Sequence, residues 1–323
     1  MPSYNNTNTA TAPEVERPDQ ADNFYHDEPQ LILKPGVTEK ELPMASPTDV
    51  KLAIHWPAFS FIVGCHVLAL AAFFTFSWSA LAVCFFLHWL TGGVGITLGY
   101  HRLLTHRSFQ APKIIEYILA IIASLACQGG PISWVSVHRI HHAKSDKPGD
   151  PHSPKDSFFW SHMGWCIHKN KIIDDYNEYS KFAPDLTKDP VHRFLNRNFM
   201  LWTVLLAIGL YAWGGWPFVV WGIFVRTVLV YHTTWFVNSA THVWGYRTYE
   251  TNEGSTNLWW VALLSYGEGW HNNHHAFQTS ARHGLQWWEL DTTYFMIKLL
   301  EMFGLAKDIK IPSPYLLKQK ITA

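Results

Sequence analysis

Charged residues are scarce in this chain of 323 residues. Only 15% are Asp, Glu, Lys or Arg, and the formal net charge is zero, so the sequence lacks the basic excess typical of nucleic-acid-binding proteins. Cysteine is also rare, with four residues and no C-x-x-C pair, which argues against a disulfide framework or a cysteine-ligated iron–sulfur site. Low charge together with 17 tryptophans is typical of a membrane protein.

Two long stretches lack charge almost completely. Residues 56–100 contain no Asp, Glu, Lys or Arg, and residues 199–246 contain only Arg226. Each stretch can hold two membrane helices of about 20 residues, and soluble core helices rarely stay uncharged on every face. Turns at 77–79 and 214–217 predict spans near 57–76, 80–99, 199–213 and 217–239. We therefore expect an all-α integral membrane protein with four transmembrane helices in two hairpins.

The rest of the chain is polar. Residues 1–45 show no hydrophobic period and are expected to be disordered, residues 46–312 form the membrane domain, and 313–323 form a C-terminal tail. Lys and Arg number 4 in residues 1–55, 13 in 101–198 and 7 in 247–323. The positive-inside rule then places both termini and the intervening polar region on the cytoplasmic face. This region is expected to be a helical domain that caps the spans.

Histidines are the chemically distinctive residues of that polar region. Eight lie in three short clusters, and neutral imidazole is the commonest metal ligand in proteins. One first-row metal takes four to six ligands, so eight histidines suit two metals, with iron, zinc, copper and manganese all compatible. At helical spacing each H-x-x-H-H trio falls within an arc of roughly 100° and is expected to face a common centre. The clusters are His101 and His106; His138, His141 and His142; and His271, His274 and His275.

Further ligand candidates flank the clusters. His242 follows the last predicted span, and Asn238, one helical turn earlier, could join through a bound water. Carboxylates are few, and Glu268, Asp146 and Asp150 are expected to fix ring N–H groups instead of binding metal. The remaining histidines, including His283, are interpreted as ordinary surface or hydrogen-bonded residues; His152, His162 and His168 stay undecided. A metal-transport or metal-storage protein is disfavoured, because its ligands would line a path inside the spans.

These clusters resemble the three histidine boxes of membrane fatty acid desaturases. The boxes read His101-Arg-Leu-Leu-Thr-His106, His138-Arg-Ile-His-His142 and His271-Asn-Asn-His-His275. The segment Trp235–His242 resembles the matching segment of the Δ9 group, which includes stearoyl-CoA desaturases. The similarity runs from about residue 55 to 310, and the sequence around the boxes is most similar to that of cyanobacterial and plastid acyl-lipid Δ9 desaturases.

The resemblance implies a non-haem site with two iron ions held by the eight box histidines and His242, with Asn238 bound through water. It implies a cis double bond placed at carbon 9 of a saturated C16 or C18 chain in a membrane glycerolipid, using O2 and two electrons from a separate donor, by resemblance ferredoxin. It also implies a bent acyl tunnel, to which it assigns Gln128, Trp134, Thr234, Trp235 and, at the closed end, Trp89.

Departures from the family pattern leave alternatives open. The acyl-CoA branch carries a charged Arg-Asp pair where this chain has Ser136-Val137, and an Asn where it has Gly129. These losses favour a glycerolipid substrate over acyl-CoA, although an acyl-CoA Δ9 desaturase stays an alternative, as does a hydroxylase or ketolase with the same metals. The basic loop 139–197 is a candidate docking surface for an acidic electron donor, through Arg139, Lys144, Lys147, Lys155, Lys169 and Lys171.

Overall fold

A computed structural model describes residues 52–321 of the protein; the predicted disordered segment 1–45 lies outside the described residues. Within 52–321 the chain forms helices and isolated bridges but no β-strand. The α-helices of six or more residues are α1 (Trp56–Ala69), α2 (Trp78–His88), α3 (Lys113–Ser124), α4 (Pro131–Lys144), α5 (Pro190–Arg197), α6 (Phe199–Val219), α7 (Arg226–Ser239), α8 (Trp259–Leu264), α9 (His271–Ala276), α10 (Thr292–Met302) and α11 (Pro314–Gln319).

π-Helical, 3₁₀ and single-turn pieces extend or connect these α-helices. The π-helical pieces are Trp89–Thr105, Trp160–Gly164 and Val220–Val225. The 3₁₀ pieces are Leu70–Phe74, Pro154–Asp156, Ser180–Phe182 and Ala240–His242, and single α-turns lie at Trp165–Ile167, Lys171–Asp174, Tyr176–Tyr179 and Pro184–Thr187. Several of these pieces continue a longer helix, so the uninterrupted helical segments are longer than the α-helices alone.

Three continuous helical segments are long and apolar enough to cross a membrane. They are Trp56–Phe74, Trp78–Thr105 and Phe199–His242. The first two lie near the predicted spans 57–76 and 80–99, and Ser77 caps the second by accepting a hydrogen bond from the Ala80 N–H at 3.1 Å. The second segment continues beyond the predicted end of its span, to Thr105, and this extension carries the first histidine box.

The third segment changes direction near its middle. Gly215 has φ +66° and ψ −157°, a conformation essentially restricted to glycine, so the 44-residue segment consists of two helical arms. A Cβ built on Gly222 would lie 2.7 Å from the Leu210 side chain, which brings residues on either side of the break together. The break falls within the predicted turn at 214–217.

Helix α3 packs closely along the second segment. A Cβ added to Gly95 would lie 2.7 Å from the Ala123 Cα, so glycine is what permits this approach. The fully buried Arg226 at the start of α7 donates to the carbonyl oxygens of Gly222, at 3.0 Å, and Leu125, at 2.6 Å. Backbone acceptors thus bind two of the three guanidinium nitrogens of this charged side chain within an apolar segment.

The C-terminal segment requires a correction. Residues 313–323 were expected to be a tail, but Pro314–Gln319 form α11, and Leu316 is buried against Tyr249 and Phe277. Lys320 also donates to the Ala276 carbonyl oxygen at 2.8 Å. This end of the chain therefore packs beside α9, which carries the third histidine box.

Candidate metal centre

A π-helical turn aligns the two histidines of the first box. In a regular α-helix residues five apart diverge by about 140°, but the π-helix closes i to i+5 hydrogen bonds. The His106 N–H accordingly donates to the His101 carbonyl oxygen at 3.1 Å, and the two ring centroids lie 4.7 Å apart. The π-helical turn therefore brings His101 and His106 together.

The two H-x-x-H-H trios do not each face one centre, contrary to the sequence prediction. His138 and His142, one turn apart on α4, face one group, whereas His141 faces another. On α9 His271 and His275 share a face and His274 points away. The reason is that i, i+4 side chains share a helix face while the intervening position is rotated by about 100°.

The nine candidate histidines form two groups, in each of which the possible ligand atoms lie within 4.8 Å of one another. In the first group the His142 Nε2 lies 3.0 Å from both His138 Nε2 and His274 Nε2. The groups are neighbours, because the rings of His142 and His275 have centroids 4.7 Å apart. Group one contains His101, His106, His138, His142 and His274, and group two contains His141, His242, His271 and His275.

Carboxylates orient the rings from outside, as the sequence predicted. The Nδ1 atom of His101 lies 2.9 Å from Glu268, that of His141 lies 2.9 Å from Asp150, and that of His242 lies 3.2 Å from Asp146. A carboxylate accepts the Nδ1 proton and so leaves the Nε2 lone pair for a metal.

Glu268 belongs to a buried charge network behind group one. Its Oε2 lies 2.9 Å from both His101 Nδ1 and His283 Nδ1, and its Oε1 lies 3.1 Å from Arg102. Arg102 is fully buried and also binds Asp291 at 2.9 Å. Burial alone raises the pKa of Glu268, but Arg102 and the two imidazoles hold it well below its usual range, so the carboxylate is ionised.

Burial keeps most of the clustered imidazoles neutral. It lowers the pKa of each well below its ordinary value, and repulsion between neighbouring rings lowers it further; this holds for His106, His138, His142, His271, His274 and His275. His141 differs, because Asp150 overcomes the effect of burial and raises its pKa. Neutral rings have the lone pairs that metal ligation needs.

The donor set fits transition-metal ions. Several buried ring nitrogens have no hydrogen-bond partner, among them Nε2 of His106, His141, His242 and His275 and both ring nitrogens of His271. Unpaired buried polar atoms are costly and rare in native structures, and converging lone pairs repel one another. A cation in each group would satisfy these atoms, and soft imidazole donors suit iron, zinc or copper better than magnesium or calcium.

The two asparagines of the third box position α9. The Asn272 Oδ1 accepts from the Thr248 and Tyr249 N–H groups at 2.8 and 2.9 Å, and Asn273 donates to the His283 carbonyl oxygen at 2.8 Å. These side chains fasten the short helix to the surrounding loops. The helix therefore presents His271, His274 and His275 inward, although six residues alone would not form a stable helix.

An apolar cavity of about 550 Å³ reaches the first histidine group at His138. Four of the five predicted tunnel residues, together with Asn238 and His138, line it. Trp134 donates through Nε1 to Gln128 at 3.2 Å, Gln128 donates to the Thr234 hydroxyl at 2.9 Å, and Trp134 stacks on His138 with ring centroids 5.0 Å apart. The fifth, Trp89, is 40% exposed and lies outside this lining.

Some residues near the centre differ from their sequence interpretation. His283, interpreted as an ordinary histidine, is buried with its ring centroid 4.3 Å from that of His274; only its position close behind the third box could have indicated this. The undecided His152 lies 4.3 Å from His141 by ring centroids. Arg139, predicted to face a docking partner, is instead buried and paired with Asp185 at 2.7 Å.

Comparison with known proteins adds a family and named relatives. The family model described as fatty acid desaturase matches residues 76–299. The chain is 53% identical to an sn-1 stearoyl-lipid 9-desaturase of Anabaena variabilis over 270 residues, which are 83% of this chain and 98% of that protein. It is 53% identical to an sn-2 palmitoyl-lipid 9-desaturase of Nostoc sp. (strain 36) over 250 residues, 77% and 87% of the two chains. It is also 51% identical to an acyl-CoA C20 Delta5-desaturase of Anemone leveillei over 253 residues, 78% and 81% of the chains.

Proposed function

Because the chain belongs to the fatty acid desaturase family, we propose that it is an acyl-lipid Δ9 desaturase. It introduces a cis double bond at carbon 9 of a saturated C16 or C18 chain esterified in a membrane glycerolipid, and uses O2 and two electrons. The observation that carries the proposal is the pair of adjacent histidine groups, the first of which contributes His138 to the wall of an apolar cavity. The sn-1 and sn-2 9-desaturases among its relatives support the substrate class.

Two iron ions are the proposed cofactor, one in each histidine group. Iron supplies the oxidising chemistry with O2 that removes hydrogen from an unactivated methylene, which no side-chain acid or base can do. Five histidines would hold one ion, and four histidines with Asn238 through water would hold the other. Glu268, Asp146 and Asp150 keep the rings in one tautomer and orientation.

The cavity residues position the substrate. The hydrogen-bonded series Trp134–Gln128–Thr234 crosses the cavity wall beside His138, and Trp235 is buried and stacks on Tyr231 with centroids 5.0 Å apart. Such rigid walls hold one chain segment against the metal centre and exclude water. We propose that Gln128 and Trp235 contact the ester region and that Trp134 and Thr234 define the bend.

We propose that four spans in two hairpins anchor the enzyme. The break at Gly215 would place the two arms of the third segment in separate spans. At about 1.5 Å per residue the second arm, 216–242, rises about 40 Å and exceeds the apolar core of about 30 Å. The first arm, 199–214, rises about 24 Å, so it would cross where the bilayer is locally thinner. The distribution of Lys and Arg supports a cytoplasmic location for both termini and all histidine boxes. The two adjacent histidine groups need their boxes on one side of the membrane, which this topology provides.

A separate protein must supply the electrons, and we propose a ferredoxin. Four lysines of the basic loop are exposed and could receive an acidic partner, namely Lys147, Lys155, Lys169 and Lys171. Arg139 is not part of this surface, because its charge is buried against Asp185.

Acyl-CoA is the second candidate substrate, because the Anemone leveillei relative is named an acyl-CoA desaturase. The residue before Val137, Ser136, argues against acyl-CoA as the substrate of this chain. Ser136 is fully buried, so it offers neither charge nor access to the phosphates of coenzyme A. The glycerolipid proposal therefore has the stronger support.

The test is expression in a host that makes no monounsaturated lipids, with iron and a reduced ferredoxin supplied. Gas chromatography should show new 16:1 or 18:1 chains, and lipase digestion should assign them to one glycerol position. His274→Ala should abolish the product, whereas His168→Ala, which alters a half-buried histidine bonded to the Gly164 carbonyl, should retain it. Unchanged 16:0 and 18:0 chains would sink the proposal, and hydroxylated chains would identify a hydroxylase.

A further inference from the structure

Tyr266 connects the segment before the third box to the second membrane segment. Its hydroxyl lies 2.5 Å from His88 Nδ1, and His88 is buried thirteen positions before His101. At about 1.5 Å of helix rise per residue, that is on the order of 20 Å below the first box. The segment that leads to the third box thus extends a side chain deep among the apolar helices.

The backbone of Tyr266 is held in an unusual conformation. Its φ is +60°, a region that residues other than glycine rarely adopt. Its carbonyl oxygen accepts from the Thr293 N–H at 3.1 Å and from the Thr293 hydroxyl at 2.9 Å, so the start of α10 fixes it. Strained residues fixed by their surroundings are found most often at functional sites.

Tyr266 lines a second cavity. It measures about 50 Å³ and shares Trp134, His138, Thr234 and Asn238 with the larger cavity. Its other lining residues include Gly92, Ile96, Thr97 and Tyr266, none of which lines the larger cavity, and His101 and His271 of the two histidine groups. The two cavities therefore lie on opposite sides of the wall that faces the histidines.

The ring of Tyr266 forms one wall of the second cavity. It packs directly on two consecutive glycines: a Cβ on Gly93 would lie 3.2 Å from the ring, and one on Gly92 would lie 3.4 Å from it. The bond to His88 holds the ring against this glycine surface. Burial raises the pKa of the Tyr266 phenol, so the hydroxyl stays protonated in its hydrogen bond with His88.

We propose that Tyr266 is the end wall of the acyl cavity beyond the metal centre and sets the chain length that the enzyme accepts. This inference rests on the proposed desaturase function and replaces Trp89 as the closed end. The carboxyl half of the chain occupies the larger cavity, and the methyl end meets the ring. One methylene too many in a closed apolar pocket lowers specificity roughly 10- to 200-fold, so this single side chain can select among C16, C18 and C20 chains.

The test uses a host without monounsaturated lipids that is fed 16:0, 18:0 and 20:0 acids. Tyr266→Leu should raise the ratio of 20:1 to 18:1 product by about tenfold or more, because it removes the ring and opens the end of the cavity. Tyr266→Phe keeps the ring and should leave the ratio within about twofold of wild type. Mass spectrometry of disulfide adducts should place the double bond at carbon 9 in every product, because the entry side is unchanged.

The possible outcomes distinguish a failure of this inference from a failure of the proposed desaturase function. A wild-type protein that makes no monounsaturated chain overturns both. An active wild type with an unchanged product ratio in Tyr266→Leu overturns the inference alone, as does a shift in bond position without a shift in length. If Tyr266→Leu fails to accumulate, Ile96→Ala enlarges the same cavity and should move the ratio in the same direction; an unchanged ratio there also overturns the inference.

Discussion

Glu268 should control metal affinity without touching the metal. One of its oxygens lies 2.9 Å from Nδ1 of both His101 and His283, and the other binds Arg102. Glu268→Gln keeps the volume but has only one acceptor oxygen. If that oxygen stays on Arg102, the neutral amide N–H₂ group faces the two imidazoles, and both charge-assisted contacts are lost.

The size of the effect follows from these contacts. A hydrogen bond to a charged group contributes about 1.5–3 kcal/mol, and each factor of ten in affinity is worth about 1.4 kcal/mol. Loss of the orienting contact on His101 should therefore weaken metal binding about 10- to 100-fold, in line with the usual cost of removing a carboxylate behind a histidine ligand.

The assay is iron retention by the detergent-purified protein across a series of chelator concentrations, measured by elemental mass spectrometry. Asp291→Asn is the matched control, because Asp291 binds the same Arg102 at 2.9 Å but contacts no box histidine. It should lower the melting temperature and leave metal retention within about threefold of wild type. Wild-type iron retention by Glu268→Gln in a folded protein would refute the reasoning.

Three further perturbations test other parts of the structure. Asp150→Asn should weaken metal retention by a similar factor, since Asp150 holds a histidine of group two at 2.9 Å. Arg139→Met should lower the free energy of unfolding by about 3 kcal/mol. Burial alone raises the pKa of Asp185, but Arg139 lowers it, so the ion pair stabilises the fold above about pH 4. The difference in stability between the variant and the wild type should therefore shrink at lower pH. Gly215→Ala should cost about 1–3 kcal/mol because of its positive φ. Gly209 lies within helix α6, where an added Cβ meets no neighbour within 4 Å, so Gly209→Ala should stabilise the protein by up to about 1 kcal/mol. Equal melting temperatures of the two variants would contradict the break.

Local sequence features predicted much of this protein. Hydropathy and the absence of charge are properties of a continuous stretch, so they located the three apolar segments and the break near Gly215. The repeated H-x-x-H-H pattern, with the first box and the segment before His242, indicated the desaturase family, which the comparisons confirm. The carboxylates that contact the histidine rings were predictable, because few Asp or Glu residues lie close to the boxes in sequence.

The assignment of the histidines to two groups depended on tertiary structure. Spacing predicts which side chains share a helix face, but not where a second helix places its own face. Only the packing of α4 against α9 assigns His142 and His274 to one group and His141 and His275 to the other. The same holds for His283, which reaches Glu268 through a loop.

Two long-range contacts show the same limit. Arg139 reads as one more basic residue of a polar loop until Asp185, 46 positions away, neutralises it. Tyr266 and His88, separated by 178 positions, meet only because the start of α10 fixes the tyrosine backbone and consecutive glycines leave room for its ring. The sequence by itself determined the chemistry that the chain can perform, because residue type and hydropathy are local. The structure decided how the histidines are grouped and which side chains line the two cavities, because both depend on packing between distant segments.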